Sequence, residues 1–423
     1  MLLSRFWKNC HGGVAPMLGL VIIPLMGAVG AAIDFSRANA ARAAFQGALD
    51  STALALSKTA ANDPDISTTA TNYFNALFSR DDTTGATITA SYTGDGGSKL
   101  VLSGTATVST DFLNLLGYPT IQIAAASTST WGNTRLRVAL VLDNTGSMAS
   151  ASKMTALKTA SQNLLTQLKN ATTNADDVYV SIVPFNKDVN LGAGNYAQSW
   201  LRWDLWEADN GTCSNTKYKS QSTCTSHSAV WTPANHSTWN GCVTDRDQNF
   251  DTTNDAPVAS ATLYPTEQYA SCPVSTIGLT NNWTALSDKI TAMQPVGNTN
   301  QAIGLQLGWQ TLTAAPFTVP AKDPNYTYKQ VIILLTDGLN TQDRWYTSAA
   351  SIDAREQKTC DNIKAANITI YAVQVNTDGD PTSTLLQSCA SDPSKFFLLT
   401  SATEIVATFN QIATALTTLR LAY

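Results

Sequence analysis

Five oxygen-bearing residues stand out for what their spacing permits. Asp143-Asn144-Thr145-Gly146-Ser147 sets one carboxylate and two hydroxyls on alternate residues of a turn, so the three can converge on a point. Thr299, within Gly297-Asn298-Thr299-Asn300, offers a third hydroxyl, and Asp337, within Thr336-Asp337-Gly338, offers a second carboxylate. Hard oxygen donors of this kind suit Mg2+ or Mn2+. A shell rich in neutral hydroxyls leaves the ion net positive, so it can accept a carboxylate from another protein. Each segment taken singly has a plainer reading: a strand-ending turn with an Asp cap, a helix N-cap, and a turn.

The surrounding elements place these residues. RVALVLD leads into SKMTALKTASQNLLTQLKNA, DVYVSIVPF follows, KQVIILLTD leads after a loop into AREQKTCDNIKAAN, and ITIYAVQV comes last. Continuous Val/Ile/Leu runs alternating with amphipathic segments predict an α/β domain, doubly wound about a mostly parallel sheet covered on both faces. Ligands of such sheets sit beyond the carboxyl ends of the strands, where Asp143 and Asp337 stand. VLDNTGSM, GNTN and ILLTDG resemble the metal-ion-dependent adhesion site of the von Willebrand factor A domain. The resemblance implies a Rossmann-like domain over 134–423. Asp143, Thr145 and Ser147 then match its DxSxS motif, Thr299 its threonine and Asp337 its later aspartate. Thr145 stands where serine is common and keeps the hydroxyl. By the same resemblance Thr299 binds the ion directly or through water, and Asp337 acts through water.

An insertion over 190–281 interrupts this domain. It carries Cys213, Cys224, Cys242 and Cys272, His227 and His236, and Trp200, Trp203, Trp206, Trp231 and Trp239. The tryptophans read as the core of a disulfide-stapled insert more readily than as interface anchors. With Cys360 and Cys389 the six cysteines make an even set. They predict disulfides between nearest neighbours in an oxidising compartment, although six thiols allow fifteen pairings. Cys224, His227, His236 and Cys242 form an alternative zinc set, but the loop lacks a second tight ligand pair.

Upstream, Gly12 to Ile33 contains no charged residue and is long enough, at about 1.5 Å per residue, to cross a hydrocarbon core of about 30 Å. An uncleaved anchor over 1–62 is the reading, with a secretory signal as its rival. Phe35, Ala38, Ala41, Phe45 and Leu49 extend the helical spacing past the span. Arg5 and Lys8 face Arg37 and Arg42 across the span, and the cysteines, only Cys10 of which precedes it, turn the larger side toward the periplasm. Gly12-Gly13-Val14-Ala15, Asp34 and Ala48-Leu49-Asp50-Ser51-Thr52-Ala53-Leu54-Ala55 resemble the TadE/TadG-like family of tight-adherence (Flp) pilus-assembly proteins. That resemblance implies a bacterial inner-membrane protein with a single pass. Cleaved prepilin-like members carry a Glu where Met17 or Leu18 stands here. Between 63 and 133, TTATNYFNALFS followed by ATITASY and KLVLSGTATVS, split by Thr93 to Gly97, predicts a small α+β module serving as a spacer.

A net charge of -5 offers no basic field, so nucleic acid is excluded as a partner. No phosphate loop, nucleophile elbow or CxxC is present, and the chain's three histidines supply too few bases for metal-assisted hydrolysis. Two non-enzymatic functions follow. In one the chain is a Flp/Tad pilus-assembly protein that grips pilus components through an acidic side chain on the metal. In the other it is a membrane-anchored adhesion or scaffolding protein with no pilus role.

Overall fold

The computed structural model describes residues 14–57, 59–60, 63–94, 98–131, 134–324 and 326–421. Arg5, Lys8 and Cys10, and Asp95 to Gly97 of the expected turn, lie outside them. The chain divides into two compact units, the second beginning at Thr134.

The first unit is organised by one helix, α1 (Val14–Leu56). Its first half is apolar all round and exposed, with Met17, Leu18, Leu20, Val21 and Ile23 open to the surroundings. Among the described residues it is the one helix long and apolar enough to cross a membrane. Its second half is amphipathic, and Ala38, Ala41, Phe45, Ala48, Leu49 and Ala53 form a buried stripe at helical spacing. That stripe packs with α2 (Ile66–Leu77), where Phe45 meets Phe74 edge-on with ring centroids 4.9 Å apart. It also packs with an antiparallel sheet of β1 (Thr83–Thr93), β2 (Ser98–Ser109) and β3 (Thr120–Trp131), in that order. Sequence reasoning found two of these strands and passed over β3. In TIQIAAASTSTW only Ile121 and Ile123 give apolar contrast ahead of the closing Trp131, too little for a period-2 signal. A single helical turn, α3 (Phe112–Leu115), joins β2 to β3.

The second unit is a mixed sheet between two helical layers. Its centre is parallel, β5 (Val178–Phe185), β4 (Thr134–Asp143), β9 (Thr327–Thr336), β10 (Thr369–Val375) and β11 (Phe396–Leu399) in spatial order. Antiparallel additions lie on the β5 side: β6 (Val189–Asn190) and β8 (Ile277–Thr280) pair with β5, and β7 (Cys242–Val243) pairs with β6. The unbroken apolar strands have a simple cause, because alternate side chains serve different cores. Val138, Leu140 and Leu142 of β4 face α4 (Lys153–Asn170), α5 (Trp283–Ala292) and α9 (Thr403–Leu421). Ala139 and Val141 face α6 (Gln301–Thr313), α7 (Ala349–Ala365) and α8 (Thr384–Cys389). The doubly wound α/β expectation is met, with α5, α8, α9 and β11 added to the elements foreseen.

The insertion is no separate body. Through β7 it extends the main sheet, and Trp206, Trp239 and Tyr264 share one core with Val141 and Val183. Trp206 and Trp239 are almost fully buried, as the core reading required. Disulfides join Cys213 to Cys224, Cys242 to Cys272 and Cys360 to Cys389, neighbour to neighbour. The alternative zinc set is thereby overturned, since Cys224 and Cys242 are both bonded. His227 instead stacks on Tyr218 at 4.2 Å, and His236 stacks on Trp203 at 3.7 Å while its Nε2 meets Glu207 at 2.8 Å.

Candidate metal centre

Three loops meet at the carboxyl edge of the parallel sheet. The first leaves β4 at Asp143, the second precedes α6, and the third leaves β9 at Asp337. Backbone bonds stitch them together. The Gly146 N–H donates to the Gly297 carbonyl at 3.0 Å and the Val296 N–H to the Asn144 carbonyl at 2.8 Å. Gly297, at φ +82°, holds a left-handed conformation that a side chain would strain, and this turn aims its carbonyl at the first loop. The third loop is tied on by the Thr341 N–H donating to the Thr299 carbonyl at 2.9 Å. Gln301 adds two bonds, its N–H to Asn340 Oδ1 at 2.7 Å and its Nε2 to the Gly338 carbonyl at 2.9 Å.

Within this frame the hydroxyls and carboxylates link up. Asp143 Oδ1 accepts the Thr145 N–H at 2.7 Å, so the Asp-capped turn and the converging donors are one structure. Thr145 Oγ1 lies 2.9 Å from Ser147 Oγ, and Ser147 donates to Asp337 Oδ1 at 2.7 Å. Thr336 donates to Asp143 Oδ2 at 2.7 Å. Thr299 lies buried on the second loop, with its N–H on Thr341 Oγ1 at 2.8 Å, and is joined to the other four residues through the backbone of these loops. Asn300 caps α6 through the Ile303 N–H, so the N-cap reading of GNTN also holds. Asp143 is fully buried while Ser147 is exposed, which leaves the site open on the Ser147 side.

Electrostatically the centre is strained toward a cation. Burial, with the neighbouring Asp337 charge, pushes the Asp143 carboxyl up to about 6, against the hydrogen bonds of Thr145 and Thr336. A donor set made only of carboxylate and hydroxyl oxygens fits a hard divalent ion.

Sequence reasoning missed the counter-charge. Lys153 Nζ is fully buried and donates to Asp337 Oδ2 at 2.7 Å and to Asp378 Oδ2, on the loop after β10, at 2.9 Å. Burial pulls the ammonium down, but the bonds to Asp337 and Asp378 outweigh it and hold it above its ordinary value. A signal was present in the chain. Lys153 opens α4, where the helix dipole disfavours a cation, so a lysine there needs a local carboxylate to explain it.

Comparison with known families bears on both units. Residues 12–63 match the Flp pilus-assembly TadE/G-like model, and residues 263–411 match the von Willebrand factor type A domain. The chain carries a TadE/G-like segment and a von Willebrand A domain. The second match includes Thr299 and Asp337 and begins downstream of Asp143, beyond most of the insertion. No curated protein matches the chain. Among solved structures, the pilus adhesin SpaC from Lactobacillus rhamnosus GG is 14% identical over 81% of this chain and 35% of its own, with a TM-score of 0.40. The chain thus spans about a third of that adhesin's length. The vWF domain of the type V pili tip protein Mfa5 from Porphyromonas gingivalis is 10% identical over 68% of this chain and 96% of its own, TM-score 0.39. Proximal thread matrix protein 1 from the mussel byssus, with a zinc-occupied MIDAS motif, is 14% identical over 68% of this chain and 47% of its own, TM-score 0.33. A TadE/G-like segment joined to a von Willebrand A domain supports a pilus-associated protein.

Proposed function

We propose that this chain is a membrane-anchored component of a Flp/Tad pilus apparatus, with its bulk in the periplasm, that grips a protein partner through a divalent cation. The observation that carries the reading is the hydrogen-bonded run from the Asp143 carboxylate, through the Thr145 N–H and hydroxyl and the Ser147 hydroxyl, to the Asp337 carboxylate, on loops stitched to the one that carries Thr299. Those five residues would hold Mg2+ or Mn2+. The bound ion supplies an electrophilic position for a carboxylate of the partner.

The residues themselves do the positioning. Thr336 and the Thr145 N–H fix the Asp143 carboxylate, and Lys153 fixes Asp337. Ser147 keeps the approach open at the surface. Beside the third loop the insertion contributes to a polar cleft of about 660 Å³, lined by Lys187, Glu267, Gln342, Arg344 and Trp345 among others. Gln342 belongs to that cleft and also donates its N–H to the Thr299 carbonyl at 3.2 Å. The cleft therefore adjoins the metal loops and suits discrimination among partners, while the ion provides the common contact. The three disulfides support the periplasmic side, since such bonds persist in an oxidising compartment.

Asp143→Ala in the full chain tests the reading. Mn2+ binding, followed by calorimetry, should be lost. Capture of pilus components by crosslinking in cells should fall to the level seen with a chelator. Unchanged Mn2+ binding would reject the metal centre, and metal-dependent capture of proteins unrelated to pili would favour the adhesion or scaffolding role.

A further inference from the structure

Beside the apolar half of α1 lies a second apolar element that the pilus and adhesion reading leaves unused. Between β2 and β3 the chain makes the tip Phe112-Leu113-Asn114-Leu115-Leu116-Gly117-Tyr118. Its large side chains point outward: Phe112 is 43% exposed, Leu115 83%, Leu116 61% and Tyr118 67%. The tip is held in place. Asp34, itself buried, accepts the N–H groups of Asp111 at 3.1 Å, Phe112 at 2.9 Å and Leu113 at 2.7 Å. Arg37 pairs with the Asp111 carboxylate. The Leu116 and Tyr118 N–H groups both donate to the Leu113 carbonyl, at 3.0 and 2.9 Å.

The docking point is Gly30. A β-carbon there would sit 2.6 Å from Phe112 Cβ, so only glycine lets the phenylalanine lie on the helix. From Gly30 an apolar groove of about 570 Å³ runs along α1, lined by Ile23, Met26 and Ile33 on the helix and by Phe112, Leu115 and Leu116 on the tip. Ile23 and Ile33 lie ten positions apart, about 15 Å of helix, or half of a hydrocarbon core of about 30 Å. The tip therefore stands level with the half of the span nearest Asp34, and its surface continues the exposed surface of α1.

We infer that this tip is a second membrane contact, with Phe112, Leu115 and Leu116 inserted among the phospholipid acyl chains of the leaflet that holds the Asp34 end of α1. Irregular backbone is excluded from lipid when its polar groups lack partners. Asp34 removes that obstacle by taking the three N–H groups that open α3, and the carbonyl of Leu113 takes two more. Tyr118 sits at the end of the tip with an amphipathic ring suited to the headgroup boundary. Asp34, one turn beyond Gly30, is thereby explained: it ties the span to the spacer module and sets the depth of the tip. The inference rests on α1 spanning the bilayer, and the experiment separates the two.

The full chain with Cys10→Ser is reconstituted in phosphatidylcholine and phosphatidylglycerol vesicles. An environment-sensitive fluorophore is attached at Leu115→Cys, at Ile22→Cys in the span, or at Ser91→Cys on the exposed part of β1. The Leu115 probe should emit to the blue of the Ser91 probe, be quenched by nitroxides on the acyl chains, and resist iodide several-fold better. Asp34→Ala should move it back toward the Ser91 behaviour. A Leu115 probe open to iodide while the Ile22 probe is lipid-quenched overturns the inference alone. Neither probe lipid-quenched overturns the span and the tip together. A Leu115 probe shielded from both quenchers places it against protein, which also overturns the inference.

Discussion

Replacing Lys153 by Met removes the buried cation bonded to Asp337 while keeping an unbranched side chain of similar length. Its Nζ bonds Asp337 at 2.7 Å, both groups buried, and Asp378 at 2.9 Å, which is largely exposed. The exposed contact contributes about 0–1 kcal/mol. The buried one dominates, since stripping one partner from a buried pair costs about 3–5 kcal/mol. At about 2–4 °C per kcal/mol for a domain of this class, the unfolding midpoint in chelator should drop by about 6–20 °C. The same change takes positive charge away from Asp337, so divalent cations should bind more tightly. Magnesium at a hundred times its dissociation constant should then return about 2.7 kcal/mol. Intrinsic tryptophan fluorescence during heating, with EDTA and then across a Mg2+ titration, reads both effects. A variant as stable as the parent in EDTA, or one no more responsive to Mg2+, would refute the role given to Lys153.

Two further outcomes concern the scaffold. Glu356 is fully buried with Oε2 accepting from Asn340 at 2.8 Å, and burial pushes its carboxyl up to about 8. The folded chain holds this proton over a range where the unfolded chain, titrating near 4.5, has released it, so stability should fall as pH rises from 4.5 toward 8. The loss is about 1.4 kcal/mol per unit. Asp245, raised to about 7 chiefly by burial, acts in the same direction. Glu356→Gln should therefore flatten part of the slope in urea midpoints between pH 5 and 8, and an unaltered slope would count against it. The Cys242–Cys272 and Cys360–Cys389 disulfides close separations of 30 and 29 residues, so each should contribute about 3–4 kcal/mol. Denaturation with and without dithiothreitol measures this, and equal midpoints would contradict it.

Periodicity and local chemistry carried much of this molecule. The apolar run before Asp34 can only be a helix exposed to something apolar, because no polar face interrupts it. Strands as uniformly apolar as RVALVLD and KQVIILLTD must be buried on both faces, and that alone implies a parallel sheet with acidic ends at its ligand edge. The donor types at Asp143, Thr145, Ser147, Thr299 and Asp337 were likewise legible as letters. Tertiary structure decided what those letters meet. Lys153 and Asp378 lie 225 residues apart and become partners only when α4 and the loop after β10 reach the same edge. Asp34 is joined to Asp111, Phe112 and Leu113, at the start of the tip, by hydrogen bonds across 77 to 79 residues, a link with no local pattern. The insertion was visible as a break in the α/β rhythm, yet its fusion with the main core through β7 depends on long-range pairing. Hydrophobic period and side-chain chemistry are properties of short windows. Counter-charges, caps from distant helices and shared cores belong to neighbours in space, and the chain must fold before it has them.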